Sequence, residues 1–192
     1  MWLTIARRTV PASPAATPAP PRPPRRKRFQ TEAYAREVLS SGSKPRSDEA
    51  RDKLLVTRLE RAHILENFDS PVVWTMLDEA VLRRPIGGPV VMCEQLRHIV
   101  TLGESRRIRV HVLPFDVGYH AMLEGLVELM WFEDLPPIAY VETLKTGRVW
   151  ELPSVVRECQ VAYDQALGDA LSHRKSLALI RSVAEEYEHA AR

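Results

Sequence analysis

The chain has 192 residues, of which 45% are hydrophobic and 27% are charged, so it is long enough to bury one core. No apolar run approaches the roughly 20 residues that a membrane span needs, and no apolar stretch follows the first residues as in a secretory signal. These features exclude an integral membrane protein. We expect a soluble, cytoplasmic protein that has no contact with a membrane.

The two cysteines, Cys93 and Cys159, lie in helix-like patterns without a CxxC motif or a neighbouring histidine at metal-ligand spacing. No HExxH motif and no cluster of Asp and His occurs either. We therefore expect reduced thiols, no disulfide framework, no metal site and no cofactor.

Residues 1–28 differ in composition from the rest of the chain. They hold seven basic residues, no acidic residue and seven of the 15 prolines, so the remainder has 27 − 7 = 20 basic residues against 25 acidic ones, a net charge of −5. Such a segment favours extended conformations and cannot build a core. We predict a disordered tail over 1–28 and a single domain over 29–192. Arg25, Arg26, Lys27 and Arg28 could contact DNA phosphates indirectly or weakly, although a solvated basic tail is the favoured interpretation.

Two helices are predicted at the start of the domain. The first is "TEAYAREVLSSG", with Thr31 as a possible N-cap and with Ala33, Val38 and Leu39 facing the core. The second, "SDEARDKLLVTRLERAHIL", has Ser47 as a cap and acidic residues in its first turn. Its apolar positions repeat at helical spacing and include Leu54 and Leu55.

The next segment, "SPVVWTMLDEAVL", is rich in β-branched and aromatic residues and is predicted to be a mostly buried strand. The turn "RRPIGGP" then leads into a helix, with Gly88 as a possible cap and Pro89 at the first helical position. The apolar set of that helix consists of Val91, Met92, Leu96, Ile99 and Val100.

This glycine-rich turn allows two interpretations. It is an ordinary joint between a strand and a helix, or it presents backbone N–H groups to an anion, with Arg83, Gly87 and Gly88 at the site. Pro89 removes one of the donors that such a site would use, and neither a GxGxxG nor a GxxxxGK[ST] spacing is present. Both interpretations remain open at this point.

The second half of the chain is sheet-like. "RIRVHVLPF" alternates apolar and polar residues, and "LVELMWFE", "PIAYVETL" and "GRVWEL" follow with short connections, which favours antiparallel hairpins. Two amphipathic helices, "PSVVRECQVAYDQALGDAL" and "RKSLALIRSVAEEYEHAAR", end the chain. The predicted fold class is α+β, with a mixed, largely antiparallel sheet flanked by amphipathic helices.

Candidate site residues are acids and histidines at strand ends and in loops. Glu79 and Glu142 each follow an apolar strand segment, and a cluster of both with His120 would suit general acid–base chemistry or a small-molecule pocket. Solvated strand ends and a loop histidine that caps backbone groups explain the same residues without a function. No catalytic residue is assigned. The full set of candidate ligand- or partner-binding residues is Glu79, Arg83, Gly87, Gly88, Gln95, His120 and Glu142.

Five segments of this chain carry a family resemblance. They are "FQTEAYAREVL", "LDEAVLRRPIGGPVVMCEQLRHIV", "RIRVHVLPFDVGYHAMLEG", "PIAYVETL" and "SHRKSLALIRSVAEE". Together they resemble the uncharacterised C-terminal domain of WhiJ-like actinobacterial transcription regulators, which follows an XRE-type helix-turn-helix and is described as antitoxin-like. The resemblance covers roughly residues 29–192 and names no catalytic residue.

The resemblance implies a sensory domain for transcription regulation that binds a small protein encoded by a neighbouring gene, or a small-molecule effector, and does not itself read DNA. A helix-turn-helix needs on the order of 50 residues, so none can be placed in the 28 residues before the domain, and we expect a member without that module. A homodimer through the terminal helices is possible, although packing within the monomer is favoured. The alternative is an enzyme or enzyme-derived fold that uses the pocket near Glu79, His120 and Glu142.

Overall fold

The computed structural model describes residues 2–6, 29–41, 47–60, 73–132, 135–143 and 146–192. Within these residues, no helix is long and apolar enough to cross a membrane. The strands are β1 (Trp2–Ala6), β2 (Val73–Asp78), β3 (Ile108–Leu113), β4 (Leu126–Met130), β5 (Ile138–Glu142) and β6 (Gly147–Trp150). The α-helices are α1 (Glu32–Ser41), α2 (Asp48–Glu60), α3 (Glu79–Arg83), α4 (Gly88–Glu104), α5 (Pro153–Asp169) and α6 (His173–Ala190).

The prediction of an α+β fold is confirmed, and the strands form two three-stranded sheets. In the first sheet β2 is central, pairing antiparallel with β1 and parallel with β3. The parallel pair is joined by α3 and α4, because parallel strands need a long crossover connection. The second sheet, β4-β5-β6, is the antiparallel meander that the short connections predict.

The structure corrects the predicted tail at its N-terminal end. Residues 2–6 form β1, whose register runs from Trp2 opposite Leu77 to Ala6 opposite Val73. Trp, Thr and Ile have high strand propensity, and the edge of β2 offers backbone groups for pairing. The proline-rich and basic composition of residues 1–28 as a whole gave no sign of this short strand. The remainder of the predicted tail, residues 7–28 with the basic cluster, lies outside the described residues.

The predicted strand over "SPVVWTMLDEAVL" is too long at its C-terminal end. β2 stops at Asp78, and Glu79–Arg83 forms the short helix α3. Asp78 has an extended backbone and its Oδ1 accepts a hydrogen bond from the N–H of Ala80 at 2.7 Å, which is the geometry of a helix N-cap. The cap therefore ends the strand although the apolar pattern continues.

Two cores hold the elements together. α4 and α6 pack against each other, and α6 also packs against β3. The first core lies between these helices and the first sheet and includes Leu96, Ile99 and Ile180, all at most 1% exposed. The second core joins Met76 and Leu113 to the second sheet and to α5. The predicted apolar face of α4 is confirmed, since Met92, Leu96, Ile99 and Val100 are buried.

The buried faces of the first two helices match the predicted ones in part: Val38 of α1 packs against the first core as predicted, whereas other residues differ. In α1 the fully buried residues are Tyr34 and Ala35, whereas Ala33 is only partly buried. In α2 Leu55 is buried, whereas Leu54 is 48% exposed. Adjacent apolar residues on a helix lie about 100° apart, so one of a pair faces solvent. The Oγ of Thr31 accepts a hydrogen bond from the N–H of Tyr34 at 3.3 Å, as expected for a cap.

The outer edge of β3 is covered by the start of α6. The N–H of Val112 donates to Oγ of Ser176 at 3.0 Å, and the N–H of Leu171 donates to the carbonyl of Val112 at 2.8 Å. The N–H of Val110 donates to Nδ1 of His173 at 3.1 Å. Two side chains and one backbone N–H thus pair with backbone groups of an edge strand that would otherwise stay open to pairing with another chain.

Candidate functional site

The carboxyl ends of β2 and β3 lie side by side, with Asp78 opposite Leu113 in the parallel register. Ligand-binding groups concentrate at this end of parallel strands, where connecting loops diverge. Two chain segments meet here: α3, which follows β2, and the loop 114–124, which follows β3 and contains two single-turn 3₁₀ helices. This edge contains three of the predicted site residues, Glu79, Arg83 and His120.

Asp78 joins the two segments through its two carboxylate oxygens. Oδ1 caps α3, and Oδ2 lies 3.1 Å from Nε2 of His120. Because an ionised carboxylate only accepts hydrogen bonds, Nε2 of His120 carries the proton. The pair bridges 42 positions of sequence and fixes the middle of the loop to the end of β2.

His120 is 8% exposed, and its other ring nitrogen, Nδ1, is buried and has no hydrogen-bond partner within the described residues. A carboxylate–imidazole pair is a familiar general-base arrangement when the second nitrogen faces a substrate. In this structure Nδ1 faces the protein interior. The geometry therefore suits a tie between loop and strand, and a substrate would reach Nδ1 only after the loop moved.

Glu79 is 9% exposed, and both of its carboxylate oxygens accept hydrogen bonds. Its Oε1 accepts from Nε of Arg83 at 2.7 Å, and its Oε2 accepts from the backbone N–H of Phe115 at 3.1 Å. Arg83 reaches on to Glu186 of α6 at 3.0 Å. The hydrogen bond with Glu79 is the main reason why the pKa of Arg83 is raised. A second tie thus connects the start of the loop to α3 and α6.

The loop held by these ties exposes large apolar side chains. Phe115 is 58% exposed, Tyr119 is 71% exposed and Leu123 is 42% exposed. We call these three side chains the apolar loop surface. The hydroxyl of Tyr119 donates to the Glu124 carboxylate at 2.6 Å, and this hydrogen bond raises the pKa of Tyr119. Aromatic side chains that stay exposed on a fixed backbone are typical of binding surfaces.

Glu142, the third member of the predicted pocket, ends β5 opposite Leu126 and is partly buried. Among the described residues, no hydrogen bond or ion pair connects it with Glu79 or His120. The structure therefore brings two of the three residues together. Their placement at one edge of the first sheet was not evident from sequence, because it depends on the parallel pairing of β2 with β3.

The predicted residues of the glycine-rich turn have structural contacts of their own. Gly87 has φ +75° and precedes α4 as its N-cap residue. The N–H of Gly88 donates to the carbonyl of Pro85 at 3.3 Å. Arg83 is engaged by two carboxylates, as described above. These contacts are those of a strand-to-helix joint, and they occupy groups that an anion would need.

Gln95 is a fully buried residue of α4. Its Nε2 donates to the carbonyl of Phe29 at 2.6 Å, and its Oε1 accepts from the N–H of Thr31 at 2.8 Å. Both amide atoms therefore fix the chain that enters α1. Gln95 therefore has a structural role, because its side chain binds backbone groups of its own chain.

Two surface grooves lie on other parts of the molecule. One runs along the outer face of α5 beside Arg157 and Val161. The other separates α1 from α4 beside Arg36 and Glu94. Neither groove is lined by Glu79, His120 or Glu142.

Sequence reasoning missed the residues that make this edge distinctive. It assigned no role to Asp78, although an Asp before a helix-forming run is a cap signal. It also did not distinguish Phe115, Tyr119 and Leu123 from ordinary loop residues. The available signal was the presence of large apolar residues between the turn-forming Pro114 and Gly125, where solvated loops usually carry polar ones.

The buried side chain of His111 in β3 predicts how the stability of the fold depends on pH. His111 stacks on Trp74 with ring centroids 5.6 Å apart, and its Nδ1 lies 3.0 Å from the Leu171 carbonyl. Burial is the main cause that lowers the pKa of His111 below its ordinary value of 6.5, despite the opposing hydrogen bond with Leu171. The unfolded chain then takes up a proton before the folded chain does. Stability is therefore present above pH 6.5 and decreases as the pH falls below it.

Between about pH 7.5 and 5.5, the unfolding free energy of the wild type should decrease as the pH falls. We expect a smaller decrease in His111→Asn, with a difference of at most about 1.4 kcal/mol per pH unit. Urea unfolding at several pH values measures this slope. His189→Asn, at an exposed position of α6, is the matched control. An identical slope in wild type and His111→Asn would contradict the assignment. His98, whose pKa burial also lowers, accounts for a residual slope.

Comparison with known proteins yields one family. A family model described as a domain of unknown function (DUF5753) matches residues 27–182, which is most of the chain. No curated protein and no solved structure shows significant similarity to the chain. The matched range contains α3, α4, β3 and the loop 114–124, and it leaves β1 outside.

Proposed function

The chain belongs to the family of the domain of unknown function DUF5753, and from this premise we propose that it is the partner-binding domain of a transcription regulator. It acts by binding a protein and not by catalysis. The small protein encoded by a neighbouring gene, which the resemblance to WhiJ-like regulators implies, is the proposed partner. A small-molecule effector is a second ligand compatible with that resemblance.

The observation that carries this proposal is the exposure of Phe115, Tyr119 and Leu123 on a loop whose backbone is fixed. Exposed apolar residues scattered singly need no explanation, but three large ones within a short segment form a candidate contact surface. Tyr and other aromatic residues contribute much of the binding energy at protein interfaces.

The ties behind the loop support binding without large rearrangement. Asp78 holds His120, and Glu79 holds the backbone N–H of Phe115, so the loop is connected to the first sheet at two points. Ordering a loop on binding costs free energy, and a loop that is already ordered avoids most of that cost. The catalytic alternative would need a free Glu79 carboxylate, whereas both of its oxygens accept hydrogen bonds, so this arrangement supports that alternative less well.

The tied loop also offers a route for regulation. A partner that binds one conformation of the loop more tightly than another shifts the equilibrium between the two conformations. The size of the shift is set by the difference between its two affinities. Because Glu79 connects the loop to Arg83 and Arg83 connects to Glu186, such a shift would reach α6. We propose α6 as the element through which binding is communicated.

A binding experiment with surface variants tests the proposed function. We expect the chain and the small protein encoded by the neighbouring gene to form a complex on co-expression, measured by size-exclusion chromatography and calorimetry. Phe115→Ala and Tyr119→Ala should each weaken it about tenfold or more, since buried aromatic anchors contribute about 2 kcal/mol.

The matched controls truncate exposed apolar residues elsewhere. Leu54→Ala on α2 and Val90→Ala on α4 remove side chains of 48% and 66% exposure and should leave the affinity unchanged. Failure to form any complex, or equal losses in the controls, would contradict the proposal.

A further inference from the structure

The loop 114–124 is acidic as well as apolar. Its exposed side chains include Asp116 and Glu124, and its sequence contains neither Lys nor Arg. The carboxylate of Asp116 has no hydrogen bond or ion pair within the described residues. Among the contacts of the described residues, Glu124 accepts a hydrogen bond from the Tyr119 hydroxyl alone. Both carboxylates are therefore available to a cation that approaches from outside.

The charge imbalance extends along the chain beyond the loop. From residue 110 to residue 144 there is no Lys or Arg, so no cation from this segment can neutralise its acids. Of the acidic residues in this segment, Asp116 and Glu124 are exposed in the loop, whereas Glu128 is fully buried and has contacts of its own. Arg83, at the same edge of the sheet, is already engaged by Glu79 and Glu186.

The exposed rings of Phe115 and Tyr119 also favour a cationic ligand. The faces of Phe115 and Tyr119 carry negative electrostatic potential and attract guanidinium or ammonium groups. The chain uses this contact elsewhere, since the guanidinium of Arg148 lies 3.8 Å from the ring centroid of Trp150. Carboxylates and open aromatic faces together select a cationic group with an adjacent apolar residue.

We infer that the loop 114–124 receives a segment of the partner protein in which Lys or Arg residues are interspersed with apolar ones. This inference rests on the proposed function and specifies the chemistry of the partner. The apolar side chains of the segment cover Phe115, Tyr119 and Leu123, and its cations pair with Asp116 and Glu124. Nucleic acid is disfavoured at this surface because its phosphates would meet unneutralised carboxylates.

Two synthetic peptides of equal length test the inference on the full chain. In one peptide leucine alternates with arginine, and in the other leucine alternates with glutamate. Amide chemical shifts of the isotope-labelled chain are recorded during each titration. We expect the arginine peptide to shift the amides of residues 115–124, and the glutamate peptide to leave them unchanged.

Substitution of the two acidic residues separates the electrostatic contribution to peptide binding from the contribution of apolar contact. Asp116→Asn combined with Glu124→Gln should weaken binding of the arginine peptide roughly fivefold, because each exposed ion pair contributes modestly. The matched control, Glu94→Gln with Glu185→Gln, removes two exposed carboxylates from α4 and α6 and should have no effect. Raising NaCl from about 0.05 M to about 0.5 M should weaken binding to wild type by a similar factor.

Three results would overturn the inference: equal binding of the two peptides, shifts confined to other residues, or no binding at all. Its failure is distinguishable from failure of the proposed function. If the small partner protein binds through Phe115 and Tyr119 but is insensitive to salt and to the charge variant, only the cationic character is wrong. If the arginine peptide maps to the loop and the small protein forms no complex, only the proposed function fails.

Discussion

Gln95→Leu should lower the free energy of unfolding by about 2–4 kcal/mol, because it leaves two buried backbone groups without a hydrogen-bond partner. The amide of Gln95 pairs with the carbonyl of Phe29 and the N–H of Thr31 at a position with no exposed surface. Leucine fills similar space but leaves both backbone groups unpaired, at about 1–3 kcal/mol each, and the added apolar burial offsets only part of this.

Thermal unfolding followed by circular dichroism measures the effect of Gln95→Leu. A loss of this size corresponds to a decrease in Tm of about 5–15 °C for a chain of this length. The matched control is Gln165→Leu, at an exposed position of α5, which should change the unfolding free energy by no more than about 0.5 kcal/mol. Equal stability of wild type and Gln95→Leu would show that the entry to α1 is not anchored by this amide.

Gly87→Val should lower the free energy of unfolding by about 3 kcal/mol, because valine is strongly disfavoured in the left-handed conformation that Gly87 adopts. There is also no room for a side chain. A Cβ at this position would lie 2.6 Å from Cγ of Glu37 and 3.0 Å from Cγ1 of Val91. The joint between α3 and α4 would therefore have to move away from α1.

The same substitution at an open position serves as control for Gly87→Val. Gly168 lies in α5, where a Cβ would meet no heavy atom of another element within 4 Å, so Gly168→Val should cost nothing and gain a few tenths of a kcal/mol from helix propensity. Urea unfolding of both variants measures the difference. An unchanged midpoint for Gly87→Val would show that the turn does not require this glycine.

The helices were predictable because their signals are local. Pro89 at the start of α4 and the regular spacing of Leu96, Ile99 and Val100 specify a helix without knowledge of the rest of the chain. The end of β2 was not predictable from the same kind of pattern, because the apolar run continues through α3. There the capping contact of Asp78 outweighs the apolar pattern.

The strand β1 shows a different limit. Its residues form a strand by pairing with β2, about 70 positions later in the chain, and a window centred on the proline-rich tail contains no sign of that partner. The helix faces show a third limit. Where two apolar residues are adjacent, as Leu54 and Leu55 are, periodicity alone does not decide which one faces the core.

The candidate site was only half predictable. Glu79 and His120 were found by their position at a strand end and in a loop, but their proximity follows from the pairing of β2 with β3. The pairing of His120 with Asp78 and of Glu79 with the Phe115 N–H follows from that geometry. Phe115 and Tyr119 were not identified as exposed, despite their position between Pro114 and Gly125, because large apolar residues are ordinarily expected in a core.

Hydrogen–deuterium exchange on the full chain, with and without the small protein encoded by the neighbouring gene, tests the central claim most directly. The claim is that the apolar loop surface on residues 114–124 contacts a protein partner. It predicts slower exchange of the loop amides in the complex, with a smaller effect in α6 through Glu79, Arg83 and Glu186. Protection confined to other elements, with unchanged exchange in the loop, would contradict it.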